Sequence, residues 1–379
     1  MKIKLGELAD IMTGNTPSMK VNEYYDSNDI PFIKPDSFKS HFELEANSFI
    51  SNKAERKARI VGSNCILVSC IGIIGKVGIT SQKVAFNQQI NSLNVKPHYD
   101  IEYIAYNLLF NKDRLQRICN SAVVPIINKT QFSDFEISIN KDIIIQRVIK
   151  RKLNLLSSII NNNKKKLLLL DDIVKSRFVE MFGDPNMVAL NKSVKFSSIA
   201  KIITGNTPSR KSPEYYGDYI EWIKSDNIIS TNLYISQAKE FLSEQGAAKG
   251  RVAPKDSLLM TCIAGSIRSI GNVGICDRSV AFNQQINAIV LKNNINPLYI
   301  YWLLKLFKPS IIANVEMSLK GIISKSHLEN MLIPIIASQE EQELFIKFAL
   351  QINKLKADVQ KSIDKAQLLM DSLMQEYFG

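Results

Sequence analysis

Along residues 143–182 the apolar positions fall into a heptad stripe. Stepping by alternating fours and threes gives Ile149, Leu153, Leu156, Ile160, Asn163, Leu167, Leu170, Val174, Arg177 and Met181, eight of them apolar. The pattern returns 196 residues later as Phe345, Ala349, Ile352, Lys356, Val359, Ile363, Ala366, Met370, Leu373 and Tyr377, and both stretches close on Phe-Gly. Each stripe predicts a helix of about 40 residues, roughly 60 Å long. Two helices with matching stripes bury them most simply against each other, which predicts an antiparallel coiled coil holding two modules apart by a rod. Asn161 to Lys166 interrupts the first stripe with poor helix formers and a run of lysines. That run reads either as a solvated face or as Asn163 fixing register, as a buried Asn does in coiled coils, with the lysines turned to phosphates.

The segments before the helices are also duplicated. Thr13-Gly-Asn-Thr-Pro-Ser18 answers Thr204-Gly-Asn-Thr-Pro-Ser209, Tyr24-Tyr25 answers Tyr215-Tyr216, and Ala85-Phe-Asn-Gln-Gln-Ile-Asn91 recurs letter for letter as Ala281 to Asn287. A period near 196 residues makes each repeat a domain rather than a solenoid unit. Short β-branched runs such as Cys65 to Ser69 and Ser257 to Thr261, broken by Gly, Pro, Asn and Asp, predict β-rich modules. Asn296-Pro297 predicts a helix start, Ser324 caps a short helix around Lys325 to Asn330, and Ser338-Gln-Glu-Glu341 opens the second long helix. Asn140-Lys-Asp142 is a weaker version of that opening, and residues 1–14 read as strand and turn. The expected fold is α+β: module 1 over residues 1–140, long helix 141–183, module 2 over 184–336, long helix 337–379, with the modules related by a pseudo-twofold.

The chain has 379 residues, 48 Lys+Arg against 36 Asp+Glu, a net charge of +12 and a pI near 9.3. That field favours a polyanion, although a lysine-rich composition alone would produce it too. No run approaches the roughly 20 apolar residues of a membrane span, and the first residues lack the form of a secretory signal, so a cytoplasmic location is expected. Five cysteines without a CxxC pair read as small buried hydrophobes, and three widely separated histidines offer no metal spacing.

Apparent catalytic motifs dissolve on comparing the copies. Pro35-Asp36 with Glu55-Arg-Lys57 outlines a metal nuclease, but the second copy places Ser225 and Ala247 at the proline and the glutamate, while Lys249 and Arg251 stand opposite Lys57 and Arg59. What the copies share there is basic. Gly72 to Lys76 has the wrong spacing for a phosphate loop, and Asn296-Pro-Leu-Tyr299 lacks the second proline of an adenine methyltransferase motif.

Gly-x-Thr-Pro-Ser, Trp-Ile-x-x-Asp (Phe32-Ile-Lys-Pro-Asp36 in the first copy), a glycine turn with Ala-Phe-Asn-Gln, and a Glu-Gln helix opening, in a chain built twice over, resemble the specificity subunit of type I restriction–modification systems. The first copy departs by lacking Pro-…-Glu-Gln between Ile139 and Gln146. The resemblance implies two target recognition domains that each read half of a bipartite DNA site, with long helices that set the spacer. It implies no catalysis and no cofactor on this chain. S-adenosylmethionine would belong to two adenine-N6 methyltransferase subunits docked on it, and ATP and Mg to restriction–translocase subunits. Phosphate-contact candidates are Lys34, Lys57, Arg59, Lys224, Lys249 and Arg251, and base-edge candidates are Ser37, Lys39, Asp226, Asn227 and, above all, Arg268 in a loop inserted in the second copy. The motifs identical in both copies read equally as scaffold or contact. A tether joining two protein partners, without DNA, is the rival reading.

Overall fold

The computed structural model of the protein describes residues 1–119, 124–187, 192–292, 295–313, 321–334 and 337–379. The expected end of module 2 at residue 336 lies outside them. The helices that organise the chain are α1 (Ile101–Phe110), α2 (Ile143–Phe182), α3 (Pro297–Ala313) and α4 (Gln339–Phe378). The chain divides into two compact units, Met1–Lys165 with Val359–Gly379, and Lys166–Asp358, so each unit takes part of both long helices.

In the first unit, Ala9–Thr13, Ile90–Val95, Ile66–Ser69 and Val77–Ile79 lie in that order as an antiparallel sheet. A second sheet runs Phe49–Ile50, Ile30–Ile33, Val84–Phe86, Ile60–Val61, with Ile30–Ile33 and Val84–Phe86 parallel. Ile66–Ser69 is buried along its whole length, as an unbroken apolar run requires. Residues 1–14 are not strand and turn alone. A one-turn helix, Leu5–Leu8, separates strands Lys2–Lys4 and Ala9–Thr13, and its i, i+3 spacing buries both leucines. The second unit repeats both sheets. Ala200–Thr204, Ile286–Leu291, Leu258–Thr261 and Val273–Ile275 form one, and Phe241–Leu242, Tyr216–Ile223, Val280–Phe282 and Val252–Ala253 the other, again with one parallel pair.

Within each unit the long helices run antiparallel, because partner numbers fall on α4 as they rise on α2. In the first unit Lys152 Nζ donates to Tyr377 Oη (3.1 Å) and Asn163 Nδ2 to Ser362 Oγ (3.0 Å). In the second, Lys356 Nζ reaches Asp171 at 2.8 Å and the rings of Phe178 and Phe345 meet edge-on at 5.2 Å. Ile149, Leu153, Leu156, Ile160 and the polar Asn163 are buried in the first unit with Ile363, Ala366 and Met370, and Val174 with Phe345, Ala349 and Ile352 in the second. Leu167, Leu170, Lys356, Val359 and Leu373 are half-buried. The lysines Lys164, Lys165 and Lys166 are exposed.

The stripe departs from a strict heptad towards the helix ends. Its buried track continues from Val174 to Phe178, and from Met370 to Met374 and Phe378, while Arg177, Met181 and Tyr377 are only half-buried. A helix of 3.6 residues per turn drifts against a 3.5 repeat, and here each C-terminal end drifts toward the module that shares its compact unit. Phe178 packs on Tyr299 of α3, and Phe378 packs on Tyr103 of α1.

Each long helix is anchored by a buried glutamine. Gln146 Oε1 accepts from Asp100 N (2.8 Å) and its Nε2 donates to Asn140 O (2.7 Å). Gln342 does the same with Asn296 N (3.1 Å) and Ala337 O (2.8 Å). The first copy therefore makes the same joint without the Pro-…-Glu-Gln pattern, because only the glutamine carries the two bonds. Gln342→Ala leaves a buried donor and acceptor without partners and should cost about 2 kcal/mol. Urea unfolding followed by tryptophan fluorescence checks it, with exposed Lys347→Ala expected within about 0.5 kcal/mol of the parent.

Candidate nucleic-acid interface

The shared Gly-Asn-Thr-Pro turn and the shared Phe-Asn-Gln-Gln segment are locked to each other in both units. Glycine is required at the turn because a Cβ on Gly14 would lie 2.2 Å from Asn87 O, and one on Gly205 2.1 Å from Asn283 O. Thr16 Oγ1 donates to Gln88 Oε1 (2.7 Å), and Thr207 donates to Gln284 Oε1. Tyr25 Oη donates to Pro17 O and Tyr216 Oη to Pro208 O, each at 2.7 Å. Asn15 Nδ2 donates to Lys57 O (2.7 Å) and its Oδ1 accepts from Arg59 N (2.6 Å). Asn206 Nδ2 likewise donates to Lys249 O at 2.9 Å. The turn thus fixes the backbone at Lys57 and Arg59 in the first unit and at Lys249 in the second, where Asn206 Oδ1 is buried with no partner among the described residues. The side chains of Lys57, Arg59, Lys249 and Arg251 are exposed and in no ion pair among the described residues. Glu55, beside Lys57, is held by Lys83 at 2.5 Å.

The remaining candidates divide by environment. Lys34 Nζ stands 5.5 Å over Phe32. Lys224 instead pairs with Glu240, which also takes Arg210 Nη2 at 2.6 Å. The hydrogen bond from Lys224, then that from Arg210, hold the Glu240 carboxyl below the usual range. Arg210 also stacks 4.5 Å from the Tyr216 ring and 5.1 Å from Trp222. No repeated motif marks Arg210 in the sequence, since Met19 stands at its place in the first copy. Ser37 is 1% exposed, its Oγ accepting from Lys34 N at 3.2 Å. Asn227 is 8% exposed and its amide is shared among Lys224 N, Ser236 Oγ and Gln237 O. Both side chains hold their turns and present no free face. Asp226 is exposed. Lys39 is exposed and pairs with Glu45 at 3.2 Å. Its loop is pinned where Phe42 meets Tyr106 edge-on (4.8 Å) and His41 Nδ1 lies 2.7 Å from Ser157 Oγ.

Arg268 is exposed on the glycine loop, and a lysine from α3 braces that loop from beneath. Lys308 Nζ donates to Arg268 O (2.8 Å) and to Asn272 Oδ1 (2.6 Å), and burial lowers its pKa. Gly271 closes the loop at φ +73°, as Gly75 does at φ +83° in the first unit, where Lys112 lies under the turn.

The long helices carry a second apolar track one residue N-terminal to the pairing stripe, about 100° around the helix. In the first unit it shows Val148, Leu155 and Ile159 of α2 and Leu369 of α4. In the second it shows Leu169 and Ile173 of α2 and Leu344 and Leu355 of α4, all exposed. Buried thiols are inert. Desolvation pushes Cys65 up to about 11 and Cys70, Cys262 and Cys276 up to about 12. Among the described residues, no cluster of His, Cys, Asp and Glu is placed to hold a metal ion, and no helix is long and apolar enough to cross a membrane.

The family model "Type I restriction modification DNA specificity domain" matches residues 1–170 and 190–366. The chain is 26% identical over 183 residues to the type I restriction enzyme MjaIX specificity subunit of Methanocaldococcus jannaschii, covering 45% of this chain and 41% of that one. It is 33% identical over 107 residues to the HindI specificity subunit of Haemophilus influenzae, covering 27% of this chain and 23% of that one. The matched regions therefore span less than half of these curated relatives. The crystal structure of a type I restriction-modification S subunit from M. genitalium shares the fold at TM-score 0.58 and 14% identity, over 100% of this chain and 96% of that one.

Proposed function

The chain belongs to the type I restriction modification DNA specificity family, and from that premise we propose that it is the non-catalytic subunit that selects DNA for a methyltransferase–endonuclease complex. Each module reads one half of a bipartite site, and the paired helices set the unread spacer between the halves. The observation that carries this reading is the duplication itself. Each unit presents the same exposed basic pair, Lys57 with Arg59 and Lys249 with Arg251, the lysine of each held by its backbone to the shared turn, which suits phosphates that every half-site shares. Base reading falls to residues that differ between the copies, and Arg268, an exposed residue of the braced loop that has no counterpart in the shorter loop of the first copy, is suited to a guanine edge.

The second apolar track supports the partner assignment. It recurs at matching positions in the two helices (Val148 and Leu344, Ile159 and Leu355, Ile173 and Leu369), so it offers two equivalent surfaces to two copies of one protein. We assign it to two adenine-N6 methyltransferase subunits. Methyl transfer from S-adenosylmethionine, and any ATP-driven cleavage, then take place on partner subunits.

Arg268→Ala should relax sequence preference in one half-site by about 1–3 kcal/mol, whereas Lys249→Ala should weaken binding alike across sequences and lower the salt slope by about one. Competition binding of the reconstituted complex with a panel of substituted duplexes separates the two. If both variants lose affinity uniformly, the division into base and phosphate contacts is wrong. A tether between protein partners would show no salt-dependent affinity for duplex DNA.

A further inference from the structure

Gln88 and Gln284 are exposed side chains held in one orientation by the hydroxyl of the shared turn, Thr16 in the first unit and Thr207 in the second. The threonine takes the amide oxygen, and the Nε2 donors of both glutamines have no hydrogen-bond partner among the described residues. The residue before each threonine, Asn15 or Asn206, ties the same turn to the backbone at Lys57 or Lys249. The turn therefore holds the backbone of Lys57 and Arg59 in the first unit, and of Lys249 in the second, on the residue next to the one that fixes the amide N–H₂, and Arg251 follows two residues after Lys249. None of these ammonium, guanidinium and amide N–H₂ groups is an acceptor, and the glutamate beside Lys57 is taken up by Lys83. A surface of donors without counter-charge suits an anion.

We propose that Gln88 with Lys57 and Arg59, and Gln284 with Lys249 and Arg251, form the same sequence-independent seat for the sugar–phosphate backbone of duplex DNA. Each glutamine amide donates to a phosphate oxygen. The proposal rests on the DNA-binding reading above and adds to it a neutral contact that charge-based searching passes over. Repetition carries the assignment to backbone rather than bases. Identical glutamines held by the same threonine bond cannot distinguish two different half-sites, while the phosphate backbone is common to both. It also accounts for the letter-for-letter recurrence of Phe-Asn-Gln-Gln: Asn87 and Asn283 cap the turn by accepting from Gln89 N and Gln285 N (3.1 Å each), which leaves the intervening glutamine outward.

The test uses the full-length chain and a labelled 30-base-pair duplex of arbitrary sequence, with affinity measured from about 50 to 300 mM salt. The variant with Lys57, Arg59, Lys249 and Arg251 all changed to alanine should lower the slope of log affinity against log salt by roughly 3 to 4, at about 0.9 per phosphate lost. Gln88→Ala with Gln284→Ala should weaken binding about tenfold at every salt concentration and leave the slope unchanged, because the amide carries no charge. Gln88→Glu with Gln284→Glu keeps an acceptor for the threonine yet repels phosphate, and should bind more weakly than the alanine pair. Thermal melting shows whether each variant keeps the parent fold, and the glutamate pair provides the reading should the alanine pair unfold. If the parent binds the duplex with its salt slope and the four-residue variant retains that slope, or the glutamate pair binds like the parent, the seat is overturned and the DNA reading survives. If the parent fails to bind duplex at the lowest salt, both fall. Tighter binding to single-stranded RNA of equal length would overturn the duplex assignment.

Discussion

Phe178→Ala is expected to remove about 4 kcal/mol from the stability of the second unit. Phe178 is 1% exposed, and its ring meets Phe182 at 4.9 Å, Phe345 at 5.2 Å and Tyr299 at 5.5 Å. Those partners come from α2, α4 and α3, so one truncation opens a cavity where three helices converge and none can close it alone. Both tryptophans of the chain, Trp222 and Trp302, lie in the second unit. Their fluorescence during urea unfolding therefore reports that unit. Phe178→Leu, which keeps most of the volume, should cost well under half as much. A loss below about 1 kcal/mol for the alanine variant would mean that the long helix is not anchored through this ring.

Asp171→Asn should cost about 3 kcal/mol at pH 7, because it strips the counter-charge from two lysines at once. Lys356 Nζ lies 2.8 Å and Lys305 Nζ 3.9 Å from Asp171, with Lys305 4.7 Å over the Trp302 ring. Burial pushes the Lys305 pKa down to about 8 from 10.5, against the pull of Asp171. Below pH 8 both folded and unfolded chains carry the proton, and the folded state bears the cost of a buried charge. Between about 8 and 10.5 the unfolded chain binds more protons than the folded one, so stability rises with pH across that window. Lys305→Met should accordingly stabilise the second unit by about 2 kcal/mol at pH 7, and the gain should fade as pH climbs toward 10.5. Urea midpoints at pH 7, 8.5 and 10 give the comparison. A gain independent of pH would mean that the methionine acts by packing alone.

The long helices were legible because they are long, periodic and capped. Ser338 and Glu341 make the capping box that their spacing announces, Ser338 N donating to Glu341 Oε2 at 3.0 Å. Their ends were less legible, since a heptad count cannot know that Phe178 and Phe378 turn to meet Tyr299 and Tyr103. The duplicated motifs identified the turn, but sequence alone left open whether its residues were scaffold or contact. In the structure Gly14, Asn15 and Asn87 are scaffold, while Gln88 stands outward. Ser37 and Asn227 look like solvent-facing loop residues in sequence, yet polar side chains in turns often satisfy backbone groups, as both do here. The cluster of Asp171, Lys305 and Lys356 could not be read along the chain, because it is assembled from α2, α3 and α4.

The central claim is that each of two similar modules reads half of one divided DNA site. Its most direct test is to express this chain with an adenine-N6 methyltransferase partner in a host lacking that modification, and to map N6-methyladenine across the genome by single-molecule sequencing. The account predicts methylation at one motif made of two short specified blocks, separated by a spacer of constant length and free sequence. Methylation at a single uninterrupted motif, or at two blocks whose separation varies freely, would contradict it.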